Sequence, residues 1–252
     1  MGKVNSKKPK EEQAAIEETK PEEQAQLEEA VMSGSSEVFS YGLEELLFLN
    51  DIEQRIFYLN KEVAENVLYE ITSFIIKINA QDAGIPVEER TPIKIVINSY
   101  GGSVLDGLGL IDAIQASETP VISVVIGYAC SMAFVIAISC DYRVATKNAV
   151  YLNHDGQTGL LDSSSKVRDA VKFYDRLDER LNRLIASKSK LTVKELGDTK
   201  REETYMFADE AKDLGLVDAI IGEDVGFADI FAYPSYPQQD CDCDCDCERC
   251  KE

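Results

Sequence analysis

Residue 154 is the only histidine among 252 residues, so any role for an imidazole base falls on one side chain. It follows AVYLN and precedes DGQTG, which sets it at a strand end entering a loop, where functional residues concentrate. An ordinary exposed loop histidine would sit the same way. Ser131, in GYACSMAF, stands shortly after the β-branched run VISVVI and directly before a helix-compatible one. A serine there is held by two rigid elements. The free N–H groups and positive dipole end of the helix favour an oxyanion near its hydroxyl. The competing reading is a helix cap, which the segment alone favours. SYGGSV places Gly101 and Gly102 after another strand, where an N–H of Gly102 could join that of Met132 as a second oxyanion donor. A plain strand-to-helix turn explains the pair equally well. REETY supplies Glu202 and Glu203, and a carboxylate there could orient an imidazole. With 46 acidic residues in the chain, one such pair carries little weight by itself.

These residues need elements to hold them. RIFYL reads as a short strand, and ENVLYEITSFIIKINA as a helix with Val67, Leu68, Ile71, Phe74, Ile75 and Ile78 on one face. IKIVIN is apolar apart from Lys94, as in a strand buried on both faces of a parallel sheet. VLDGLGLIDAIQA is a helix, and RVAT and AVYLN are short strands. The segment 165–187 is a long amphipathic helix with a stripe of Val167, Ala170, Val171, Tyr174, Leu177, Leu181 and Leu184. LTVKELGD starts a further helix capped by Thr192. FADEAKDLGLVDAII is a helix closed by Gly215 and followed by a strand. This alternation implies an α/β body with mostly parallel pairing.

The stretch from Pro120 to Cys140 carries no charge and is long enough to cross a membrane. Its composition points elsewhere: VISVVI as a buried strand, GYAC as a turn, SMAFVIAIS as a buried helix. The expected protein has no membrane span.

The net charge of −20 argues against a nucleic-acid surface. Cys130 and Cys140 lie in the apolar run; Cys241, Cys243, Cys245, Cys247 and Cys250 crowd the end. With no disulfide framework in the body, a reducing, cytoplasmic setting is expected. The expected organisation is a disordered acidic arm over 1–38, a single domain over 39–233 and an Asp/Cys-rich tail over 234–252. MGKVNS matches the short myristoylation pattern, a match that chance also supplies. In DCDCDCDC, an extended chain would put Cys241, Cys243, Cys245 and Cys247 on one face, a speculative soft-metal site without structural-zinc spacing. A solvated acidic tail and inter-subunit disulfides are the alternatives.

In order along the chain, the pieces resemble the Clp protease family, whose proteolytic subunits are caseinolytic serine peptidases. INSYGGSVLDGLGLIDAI is similar to that family's strand–turn–helix, GYACSMA to its nucleophile segment, VYLNHDG to its histidine segment and YMFADEAKDLGLVDAII to its closing segment. The resemblance spans about residues 44–221. It implies a crotonase-like β-β-α superhelix with Ser131 as nucleophile, His154 as base, and the N–H groups of Gly102 and Met132 as the oxyanion hole. The triad acid falls on Glu203, where the family has aspartate; Glu202 and Asp198 are the alternatives. It further implies a homo-oligomer of stacked heptameric rings that encloses the active sites and degrades protein or peptide substrates without a cofactor. Residues 165–187 would join the rings. A AAA+ unfoldase is the family's usual partner, but the acidic arm and HDGQTG depart from the family pattern. Other functions on the same features are an acyl-CoA hydratase or isomerase, an inactive ring subunit, and a viral capsid-maturation protease.

Overall fold

The computed structural model describes residues 43–157, 159–199 and 203–231. The chain separates into two compact units, Met1–Leu46 and Leu47–Glu252. Only residues 43–46 of the first are described, and the whole sheet belongs to the second. The acidic arm, the myristoylation-like start and the cysteine tail lie outside the described residues.

The strands are β1 (Ile56–Leu59), β2 (Ile93–Ser99), β3 (Val121–Cys130), β4 (Tyr142–Thr146), β5 (Val150–Asn153), β6 (Thr204–Phe207) and β7 (Ala219–Ile221). The helices are α1 (Leu43–Glu53), α2 (Glu65–Gln81), α3 (Val104–Gln115), α4 (Met132–Ile138), α5 (Ser164–Ser187), α6 (Val193–Thr199), α7 (Ala208–Asp213) and α8 (Phe227–Phe231). All seven strands form one sheet, with the path β1-β2-β3-β4-β7; β5 pairs with β3, and β6 with β5. Every pairing is parallel except β5–β6. This is the α/β body with mostly parallel pairing that the alternating elements predict, and it fits the crotonase-like superhelix that the family resemblance implies.

IKIVIN behaves as its composition requires. Ile93, Ile95 and Ile97 join the large core formed with α2, α3 and α4, while Val96 turns to a second core with Ile122, Val124, Val144 and Ile230. Lys94 shares that second face yet is buried. Its Nζ donates to the Gln54 carbonyl at 3.1 Å, and burial, helped by the Arg55 charge, pushes its pKa down. On α2, Val67, Ile71, Ile75 and Ile78 are buried at helical spacing, with Leu68 and Phe74 partly buried beside them.

Three sequence expectations change. GYAC is not a turn, because β3 runs on through it to Cys130. The glycine is absorbed as a bulge: Ile97 faces Val125 and Ser99 faces Ala129, so two steps of β2 oppose four of β3. Gly127 sits at φ +92 with Asn98 Oδ1 pressed against its missing side chain. Beyond the bulge, β3 exchanges partners, from β4 at Ile122–Val125 to β5 at Tyr128–Cys130. Second, the residues just before FADEAKD form β6, a short antiparallel strand with Met206 inward and Tyr205 and Phe207 outward. Third, the stripe on α5 is only partly covered. Leu181 is buried and Leu184 packs on the core, but Val171 and Tyr174 are exposed, as is Phe173 beside them, so only the C-terminal part of the stripe joins the core. Thr192 caps α6 as expected: its Oγ1 accepts the Glu195 N–H at 3.2 Å, and Glu195 answers on the Thr192 N–H at 2.8 Å.

Candidate active site

Ser131 is the joint between β3 and α4. Its backbone sits at φ 52, ψ −125, one of two non-glycine residues with positive φ among those described. Such a conformation costs about 1–3 kcal/mol and persists only when its surroundings impose it. They do so from both sides. The Ser131 N–H donates to Leu152 O at 2.9 Å, which continues the β3–β5 ladder, and the Ser131 carbonyl accepts from Phe134 N–H at 3.0 Å, which opens α4. The side chain makes no capping bond. The cap reading favoured by the segment alone therefore fails: Oγ is left available while the backbone alone starts the helix.

Gly101 and Gly102 are locked beside this joint. The Gly101 carbonyl accepts from Val63 N–H at 2.8 Å, and Ser103 N–H donates to Val63 O at 2.7 Å, so the segment around Val63 pairs with the turn. The Gly101 N–H donates to Ser99 Oγ at 3.1 Å. Both glycines have positive φ, +94 and +149. A Cβ on Gly101 would lie 2.6 Å from Cys130 O, 2.8 Å from Met132 N and 2.8 Å from Ser131 Cβ. Only glycine lets the turn lie against the serine's backbone. Within this network, the N–H groups of Gly102 and Met132 have no hydrogen-bond partner among the described residues.

A cavity of about 690 Å³ brings the pieces together: Gly102, Ser131, Met132 and His154 all line it. Leu177, Leu181 and Ile185 of α5 form an apolar wall. Leu177 and Leu181 belong to the stripe legible in the sequence; Ile185 does not, and the sequence did not show that this face borders the serine. Ser131 Oγ and the His154 ring share the cavity without a hydrogen bond between them, and neither side chain has a hydrogen-bond partner among the described residues. Catalytic hydrogen bonds are often long before substrate binds.

The carboxylate is reached through the antiparallel ladder. Val150 faces Phe207, Leu152 faces Tyr205 and Asn153 faces Thr204. The ladder ends at that last pair; continuing its register by one step would bring Glu203 opposite His154. Glu203 is not bonded to His154, however; its Oε2 accepts from the Tyr205 hydroxyl at 3.1 Å. That bond pushes the Tyr205 pKa up. Glu202 and the side chain of Asp198 lie outside the described residues. Cys130, immediately before the serine, is a free, buried thiol whose pKa burial raises.

A strained serine at a parallel-strand end, a histidine in the same cavity and a pair of backbone N–H groups without a partner among the described residues make this cavity the candidate active site of an α/β fold of the crotonase-like kind. A family model for Clp protease matches residues 46–224. The chain belongs to the Clp protease family, a family of peptidases.

Proposed function

We propose that this protein is a serine endopeptidase of the Clp type. What carries the reading is the Ser131 joint: a strained backbone, a hydroxyl left out of capping, and His154 with two spare N–H groups around one cavity. Ser131 Oγ attacks a peptide carbonyl as His154 takes its proton. The N–H groups of Gly102 and Met132 hold the tetrahedral oxyanion. His154 returns the proton to the leaving amine, and water then hydrolyses the acyl-enzyme. Glu203 is the acid that orients His154, supported by its register position. None of these steps calls for a metal or organic cofactor.

The exposed apolar residues Val171, Phe173 and Tyr174 support self-association through α5. The assembly is a homo-oligomer, in the family's form stacked heptameric rings, with protein or peptide substrates cleaved inside. A AAA+ unfoldase is the partner to test for feeding it, and the cytoplasm is the compartment that fits the unpaired body cysteines. Among the described residues no helix is long and apolar enough to cross a membrane.

The deciding experiment is labelling with a fluorophosphonate probe. The native chain should label, while Ser131→Ala and His154→Ala should not. A native chain that forms intact rings and stays unlabelled would instead make it an inactive ring subunit, a reading favoured by the missing hydrogen bond between His154 and Glu203.

A further inference from the structure

We propose that Tyr205 is a positioning residue for the triad: its phenol O–H holds the Glu203 carboxylate in place opposite His154. The inference rests on the serine-peptidase reading of the cavity. Three observations carry it. Glu203 directly precedes β6 and Tyr205 is the second residue of the strand, two positions on, and both are exposed. The β5–β6 register pairs Leu152 with Tyr205 and ends at Asn153 and Thr204; continued one step past that last pair, it would put His154 opposite Glu203, on the face of the ribbon that carries Leu152 and Tyr205. The Tyr205 hydroxyl donates to Glu203 Oε2 at 3.1 Å.

Chemistry explains why such a group is needed here. Glutamate has one more rotatable bond than aspartate, and Glu203 is exposed beyond the last ladder pair, so nothing in the backbone fixes where its carboxylate rests. The phenol supplies that restraint. It uses only part of what the carboxylate can accept, since two oxygens offer about four lone-pair sites. Oε1 stays available to the imidazole N–H while Oε2 is tied to the tyrosine. The bond also keeps the phenol protonated, because it raises the Tyr205 pKa, so the restraint persists through neutral pH. Phenylalanine would fill the same exposed site without holding anything.

The test compares Tyr205→Phe, Glu203→Ala and the double variant in the full chain, with two readouts. The first is peptide hydrolysis. Tyr205→Phe should lower kcat roughly 3- to 10-fold with KM unchanged, as expected for losing one neutral-to-charged hydrogen bond. In the Glu203→Ala background it should cost nothing further. The second is the imidazole N–H resonance by NMR, unambiguous because the chain has a single histidine. A downfield, slowly exchanging ring N–H should be present in the native protein, weakened in Tyr205→Phe and absent in Glu203→Ala. Unchanged kcat and an unchanged ring signal in Tyr205→Phe would overturn the proposal. So would a rise in kcat, which would mark Tyr205 as a competitor for the carboxylate, or an equal loss in the Glu203→Ala background. If the native chain resists the fluorophosphonate probe, the peptidase reading fails on its own, and the ring resonance still decides whether Tyr205 couples to His154 through Glu203.

Discussion

At the residue scale, Ser131 is defined by what crowds it. Its Cβ lies where a side chain on Gly101 would have to go, and the neighbouring atoms at 2.6 and 2.8 Å are backbone and cannot swing aside. Gly101→Ala must therefore move either the turn or the serine joint, and it must also hold alanine at φ +94. A displacement near 1 Å at a reacting group costs on the order of a hundredfold in rate. We expect Gly101→Ala to lose about that much in kcat/KM for a fluorogenic peptide while its circular dichroism spectrum stays native. Cys140 offers a contrasting thiol. Burial, with the nearby Asp141 charge, pushes its pKa up to about 12, so almost no thiolate forms at pH 8. Iodoacetamide should leave Cys140 unmodified in the folded protein and alkylate it in denaturant, as read by peptide mass mapping.

At the element scale, the end of the sheet opposite the site is tied down by an ion pair. Arg55, between α1 and β1, pairs with the buried Asp82 at the end of α2 at 2.6 Å, and Asp82 also accepts from Thr119 Oγ1 at 2.7 Å, just ahead of β3. One carboxylate thus links the starts of β1 and β3 to α2. Burial pushes the Asp82 pKa up, but the hydrogen bonds from Arg55 and Thr119 outweigh it and hold the carboxyl below the usual carboxylate range. Asp82→Ala should cost about 3–5 kcal/mol, because it leaves a partly buried guanidinium without its partner. The pH dependence follows from the depressed folded-state pKa. The stabilisation is complete above the unfolded carboxylate pKa, about 3.9, and is lost as pH falls through the folded value. Denaturant midpoints of the native chain and Asp82→Asn should therefore differ by a constant amount above about pH 5 and converge in stronger acid.

At the scale of the whole molecule, α5 borders the cavity at one end and exposes apolar side chains at the other. Its C-terminal part walls the cavity through Leu177, Leu181 and Ile185. Its N-terminal part leaves Val171 and Phe173 more than 40 % exposed, on a helix otherwise studded with charge. If rings stack through this segment, replacing both residues with glutamate should halve the particle mass by light scattering and leave each ring intact. An unchanged mass would place the contact elsewhere.

The sequence alone determined most of the order of strands and helices, though not α1, β6 or α8, and the two-sided burial of IKIVIN, and it raised Ser131 and His154 as candidates. Local periodicity and turn chemistry encode these, and a single histidine leaves no rival. It misread GYAC because a glycine in a strand and a glycine in a turn look alike until the partner strands are known. Here β3 survives Gly127 by taking a bulge and exchanging β4 for β5. TYMF was too short to mark as a strand without the β5 edge it pairs with. Whether Ser131 caps its helix was likewise a tertiary decision: the bond from its own N–H to Leu152 O holds the backbone at positive φ and leaves the hydroxyl out of the cap. The β5–β6 pairing that ends beside His154 and Glu203, 49 residues apart in a chain rich in carboxylates, is an antiparallel register that only long-range contact can set.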